Sequence, residues 1–102
     1  MYYTYMLICN DNSIYTGITN DVKRRFQQHC AGKGAKYTIS HKPQKIIAVF
    51  SSKDKSIASK LEYKIKQLTK KQKEYIYQNK NLEVLEKYMD IKQYRYEGEF
   101  VG

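Results

Sequence analysis

A short extended segment, Tyr2 to Cys9, a polar turn, Asn10-Asp11-Asn12-Ser13, and a second extended segment, Ile14 to Ile18, open the chain. Aromatic and branched side chains on either side of a turn of this composition form a β-hairpin. The hairpin constrains what can share a face. Side chains alternate along a strand, so a loop of three or five residues places Tyr5 and Tyr15 together, whereas a loop of two separates them. Any chemistry that uses both phenols requires the odd-length loop.

Periodicity then switches from two to 3.6. Asp21 can cap a helix whose Val22, Phe26 and Cys30 point to the core, with Gly32 available to stop it. Arg25 and His29, four apart, share a neighbouring face of that helix. After Pro43, Gln44 to Ser51 is apolar on both faces, the pattern of a buried central strand. Ser56 to Leu68 is helical, with Ile57, Leu61, Ile65 and Leu68 on one stripe and Glu62 and Lys66 beside it. Thr69 to Asn79 continues as a further helix after a bend. The expected class is α/β (α+β): a small three-stranded sheet, mixed or antiparallel, flanked by helices. Residues 1–80 form the expected domain. Residues 81–102 form a tail, with Leu82, Leu85 and Met89 spaced for a short amphipathic helix and Tyr94, Tyr96 and Phe100 for a final extended piece packed on the domain.

The order of residues carries a resemblance. Tyr3-Thr4-Tyr5, Tyr15-Thr16-Gly17, the run Thr19 to His29, the glycine-rich stretch Ala31 to Tyr37 and the segment Leu61 to Leu68 follow one another as the motifs of the GIY-YIG nuclease superfamily do. The chain resembles the small, single-domain, UPF0213-like members of that superfamily, over roughly residues 1–80. Only the last tyrosine of the first triplet is retained. Excinuclease relatives carry a lysine three residues after the second tyrosine, where this chain has Ile18, and a tyrosine where this chain has His29.

The resemblance implies the GIY-YIG fold and a metal-dependent endonuclease that nicks DNA with weak sequence preference, in the setting of repair or recombination. Its implied catalytic residues are Tyr5, Tyr15, Arg25, His29 and Glu62. In-line attack on a phosphodiester needs an activated water, stabilised charge on the phosphoryl oxygens and help for the departing oxygen. Arg25, a permanently charged bidentate donor, suits the phosphorane charge. Glu62 would hold a single Mg²⁺ or Mn²⁺, because residues 22–80 offer only Asp54, Glu62 and Glu74 as carboxylates. Tyr15 would meet the attacking water, with His29 as relay and Tyr5 as an orienting hydrogen bond. By spacing alone these residues are more ordinary: buried tyrosines, a solvated helix face, and an i, i+4 ion pair between Glu62 and Lys66.

Bulk properties agree with a polyanionic partner. Nineteen Lys and Arg against ten Asp and Glu leave a net charge of +9. The excess is one-sided: residues 22–45 hold seven basic residues and no acidic one. Lys23, Arg24, Lys33, Lys36, Lys42, Lys45, Lys64 and Lys66 are the expected DNA-backbone contacts, with Lys60 extending the same track. Gly32-Lys33-Gly34-Ala35-Lys36 lacks the end of a phosphate-binding loop and is expected to be a flexible cap over the DNA. Cys9 and Cys30 match no common zinc spacing and are expected at or near the core. The absence of a long apolar run leads to the expectation of a cytosolic protein. Two other classes stay open. One is a catalytically inactive nucleic-acid-binding module, which the Ile18 departure favours. The other is an adaptor that meets a protein partner or a second copy through the acidic, aromatic tail.

Overall fold

The computed structural model describes residues 1–100; Val101 and Gly102, the end of the expected tail, lie outside the described residues. The elements follow as β1 (Tyr2–Cys9), β2 (Ile14–Thr19), α1 (Val22–Cys30), α2 (Lys36–Ser40), β3 (Pro43–Ser52), α3 (Lys55–Lys66), α4 (Lys70–Asn79), short 3₁₀ turns at Glu83–Leu85 and Ile91–Gln93, and β4 (Arg95–Phe100). The four strands form one sheet in the order β2-β1-β3-β4, and every neighbouring pair is antiparallel.

The hairpin closes with the odd loop. Ile8 faces Ile14, five residues separate them, and inside that span the Cys9 N–H donates to the Ser13 carbonyl at 2.9 Å. Leu7 is therefore opposite Tyr15 and Tyr5 opposite Gly17, which puts both phenols on one face. Asn12, with φ 68°, makes the tight turn.

Each face of the sheet carries its own core. On the first, Tyr5, Leu7, Cys9, Ile46 and Val49 pack against Phe26 of α1. On the second, Met6, Ile47, Ala48 and Phe50 meet Leu61 and Ile65 of α3, Ile76 of α4, and Leu82 and Leu85. Strand β3 is buried on both faces, as its unbroken apolar run requires.

Helix ends follow local chemistry. The Asp21 carboxylate accepts from the Arg24 N–H at 3.0 Å, and Gly32, at φ 75°, ends α1 with Lys33 N–H donating to the Gln28 carbonyl at 2.8 Å. Asp54 caps α3 through the Ile57 N–H at 2.9 Å. The bend before α4 is a capping box between Thr69 and Gln72.

Three expectations are corrected. The sheet has four strands rather than three, because the extended piece in the tail pairs with β3: Tyr96 packs on Phe50 and Phe100 on Phe26, each with ring centroids 5.5 Å apart. The segment with Leu82, Leu85 and Met89 is not an amphipathic α-helix. A 3₁₀ turn brings Leu82 and Leu85, three apart, onto one side, and both are buried. Cys30 is exposed and Cys9 buried. Helix α1 turns His29 rather than Cys30 into the protein, where hydrogen-bond partners offset the burial of its polar ring. No helix among the described residues is long and apolar enough to cross a membrane.

Candidate active site

Gly17 is the floor on which the site is built. A Cβ at this position would lie 2.6 Å from the Tyr5 hydroxyl, 2.8 Å from its ring and 2.9 Å from the ring of Tyr15. Glycine is therefore what lets the Tyr5 ring cross from β1 over β2 and reach Tyr15. The two rings lie 6.3 Å apart, tilted at 48°.

Helix α1 contributes His29 and Arg25, one turn apart. His29 is fully buried and shares a hydrogen bond of 2.7 Å between its Nε2 and the Tyr5 hydroxyl. Its Nδ1 lies 2.7 Å from Thr38 Oγ1 on α2. Burial, aided by the nearby Arg25 charge, lowers the basicity of the imidazole to a pKa of about 4, so the ring is neutral at pH 7. Burial also pushes the Tyr5 phenol far above the usual tyrosine range. Arg25, beside it, pulls in the opposite direction, and Tyr15 and Glu62 add to the rise. Tyr5 is thus protonated, and its electrostatic neighbours Arg25, Tyr15 and Glu62, with its hydrogen-bond partner His29, are the other four residues of the expected set. The Arg25 guanidinium is half-buried and also donates to Gln28 Oε1 at 3.0 Å.

Helix α3 brings Glu62 to the same place. Its carboxylate is 23% exposed and pairs with Lys66 Nζ at 3.4 Å, and that Nζ sits 5.8 Å from the centre of the Tyr15 ring. Tyr5, Tyr15, Arg25, His29 and Glu62, from β1, β2, α1 and α3, are thereby gathered at one corner. One detail differs from the expected relay. His29 hydrogen-bonds Tyr5, while Tyr15 meets the imidazole only ring to ring, at 5.4 Å and 64°.

Several neighbours were not singled out as site residues by the sequence. Gly34 lies so close to His29 that a Cβ there would collide with the imidazole Nδ1. Thr38 donates its hydroxyl proton to the Ala35 carbonyl at 2.9 Å. Tyr37 stacks on Tyr15 at 5.9 Å and on His41 at 4.2 Å. His41 Nδ1 is bound 2.6 Å from Asp11 Oδ2, tying the hairpin turn to the end of α2. Hydrogen bonds from Ser13 and from His41 hold the Asp11 carboxyl well below the usual carboxylate range. The glycine-rich stretch expected as a flexible cap is thus, at Gly34 and in α2, the wall that holds His29.

Among the described residues no group of three or more His, Cys, Asp or Glu side chains is arranged to hold a metal ion, and Glu62 is the carboxylate that this corner offers. A single carboxylate suits Mg²⁺ or Mn²⁺ held mainly by water and phosphate oxygens, provided Lys66 gives way.

The expected DNA-contacting residues divide. Lys23, Arg24, Lys33, Lys36 and Lys42 are on α1, α2 and the loops around them, open to solvent to differing degrees, and Arg24 donates to Asn20 at 3.1 Å. Lys45 pairs with Glu99 of β4 at 3.4 Å. Lys66 belongs to the corner itself. Lys60 and Lys64 line a depression with Tyr63, Tyr88 and Met89 on another flank of α3, away from Tyr15.

A β-hairpin bearing two tyrosines, followed by an arginine-bearing helix and a glutamate-bearing helix, carries the ordered motifs that resemble the GIY-YIG nucleases. The chain belongs to this family: residues 1–76 match the family described as the GIY-YIG catalytic domain. It is similar to a UPF0213 protein of Fusobacterium nucleatum, with 53% identity over 75 residues, 74% of this chain and 75% of the relative. It is also similar to the UPF0213 protein YhbQ of Escherichia coli O8, with 51% identity over 72% of this chain and 73% of that one. A solved relative is the UPF0213 protein BH0048 from Bacillus halodurans, a solution NMR structure with 43% identity and a TM-score of 0.48, covering 74% of this chain and 82% of that one.

Proposed function

We propose that this protein is an endonuclease that hydrolyses DNA phosphodiester bonds with the help of one divalent cation, nicking with weak sequence preference. The observation that carries the proposal is the convergence of Tyr5, Tyr15, Arg25, His29 and Glu62 on the corner left open by Gly17. A neutral buried histidine, a charged arginine and a carboxylate gathered around two phenols support a functional site.

The half-exposed groups meet the substrate. Arg25 donates to the phosphoryl oxygens, where a delocalised, permanent charge matches the planar developing negative charge. Tyr15 orients the attacking water. The buried Tyr5–His29 pair behind it is a transient proton acceptor: a neutral imidazole joined to a phenol by a 2.7 Å bond takes a proton without first releasing one, and its low basicity returns it to solvent. Glu62 would hold Mg²⁺ or Mn²⁺, and the cation, when bound, would stabilise charge on the phosphate and leaving oxygens. Lys66, next to Tyr15, supplies the positive charge that the excinuclease members of the superfamily place at the position of Ile18. Affinity comes from the lysines of α1, α2 and their loops and is independent of sequence. A nuclease of this kind suits repair or recombination.

The Glu62–Lys66 pair favours one second reading, a nucleic-acid-binding module that does not cut, because Lys66 neutralises the carboxylate a cation needs. Labelled duplex, nicked, branched and single-stranded DNA incubated with Mg²⁺, Mn²⁺ or EDTA separates the two. The nuclease reading expects metal-dependent cutting that Arg25→Ala, Arg25→Lys and Glu62→Ala each abolish. Binding without cutting, unchanged by Glu62→Ala, supports the second reading instead.

A further inference from the structure

We infer that Thr38 is a positioning residue that fixes the direction of the Tyr5–His29 hydrogen bond, keeping the proton of His29 on Nδ1 and its Nε2 lone pair on the Tyr5 hydroxyl. The functional weight of this inference rests on the nuclease reading; the proton placement does not.

Counting protons sets the direction. A threonine hydroxyl has one proton to give. That of Thr38 goes to the Ala35 carbonyl at 2.9 Å, within the first turn of α2. The 2.7 Å contact between Thr38 Oγ1 and His29 Nδ1 must then run the other way, with Nδ1–H donating to the oxygen. A neutral imidazole carries one N–H, so Nε2 is left as an acceptor, and the 2.7 Å bond to Tyr5 is donated by the phenol.

The opposite tautomer fails on two counts. It would need the Thr38 hydroxyl to turn from Ala35 to Nδ1. It would also have Nε2–H donate to the Tyr5 oxygen, leaving the phenol proton to find another acceptor. Tyr5 is only 1% exposed, and among the described residues its hydroxyl has no other hydrogen-bond partner apart from the neighbouring Arg25, a donor. An unpaired buried hydroxyl proton is costly. Packing holds the ring in place: Gly34 lies against the imidazole, where any side chain would collide, so the ring has no room to swing away from Thr38.

The consequence concerns basicity at the corner. With Nε2 free of a proton, a proton arriving at the Tyr5 oxygen can be matched by transfer of the phenol proton to Nε2, giving an imidazolium whose Nδ1–H still rests on Thr38. With Nε2 protonated, that path is closed. Thr38 touches neither substrate nor reacting atoms and acts through His29.

Long-range ¹H–¹⁵N correlation spectra of the uniformly labelled chain test this, since it has two histidines and His29→Gln assigns the signals. Wild type at pH 7 is expected to show His29 with Nδ1 protonated and Nε2 bare. Thr38→Ser, which keeps the hydroxyl, is expected to retain that pattern and to cut DNA within about threefold of wild type. Thr38→Val, which keeps the shape, is expected to move His29 toward the Nε2–H form and to slow cutting by on the order of 10- to 100-fold, the scale by which removing the partner that orients a metal-bound histidine lowers activity. A wild-type spectrum with Nε2 protonated overturns the inference even if Thr38→Val does not fold, and so does an unchanged tautomer and rate in a folded Thr38→Val. If the tautomers behave as expected but the wild type cuts no DNA with any metal, the nuclease reading fails and the assignment of Thr38 to the His29 proton stands.

Discussion

At residue scale the site depends on what is missing as much as on what is present. Gly17→Ala would place a methyl within 2.6 to 2.9 Å of the Tyr5 hydroxyl and the Tyr15 ring. Neither neighbour is a free end. Tyr5 is buried and bonded to His29, so the strain spreads through the site. The expected cost is about 1 to 3 kcal/mol of stability, read by urea denaturation, with a larger fractional loss of cutting than of folded protein. Equal stability and activity in the variant would refute the view that Gly17 seats the Tyr5 ring.

His29 makes a pH prediction whose sign is fixed by burial. Its pKa falls from 6.5 to about 4 on folding, so the unfolded chain binds the proton more tightly than the native one. Its contribution is present in full above pH 6.5 and is lost as pH falls toward 4. Between about pH 7 and 4.5 the wild type should lose about 2 kcal/mol more than His29→Gln, measured by urea unfolding at both values. Parallel losses in the two proteins would mean that His29 is not held neutral.

At the scale of elements, β4 decides whether the sheet is finished. It covers the outer edge of β3 and supplies Tyr96 and Phe100 to opposite cores, while Glu97 accepts from Ser51 Oγ at 2.6 Å. Removing residues 95–102 strips both aromatics and leaves a long apolar edge. The chain should lose about 3 kcal/mol or more, lowering its melting temperature by roughly 12 °C, and should associate at high concentration. The family match ends at residue 76, yet the strand that completes the sheet lies well beyond it. A truncated chain with an unchanged melting temperature would show that β4 is an accessory.

At the scale of the molecule, charge is arranged by flank rather than by total. Lys33 and Lys36 lie in and beside the segment that packs on Tyr15 and His29, whereas Lys60 and Lys64 line a separate depression. On duplex DNA, removing one lysine–phosphate pair should reduce the slope of log affinity against log salt by about 0.9. Lys33→Gln with Lys36→Gln should therefore flatten the slope by up to about 2, and Lys60→Gln with Lys64→Gln should leave it nearly unchanged. Titrations by fluorescence anisotropy between low and moderate salt measure both, and equal slopes would argue for a diffuse basic surface.

Much of this molecule could be read before folding it. Alternation gave the hairpin, though the parity of its loop was settled only by the Ile8–Ile14 pairing; the apolar run of β3 gave its central place, and 3.6-residue spacing the helices with Asp21 and Thr69 at their starts. The five corner residues were legible because their types recur in a fixed order. The final extended piece was legible, but its place as a fourth strand was not: nothing local to Arg95–Phe100 names its partner, and β3's open edge supplies it. Nor were Thr38 and Gly34, whose importance comes from lying against a ring nine and five residues away through the reversal after α1. The sequence alone determined which groups can bear charge and which segments prefer to extend or coil, because these are properties of side chains and near neighbours. Only the tertiary structure decided which of them meet, which are dry, and where the proton between Tyr5 and His29 resides, because burial and hydrogen-bond direction depend on contacts between segments distant along the chain.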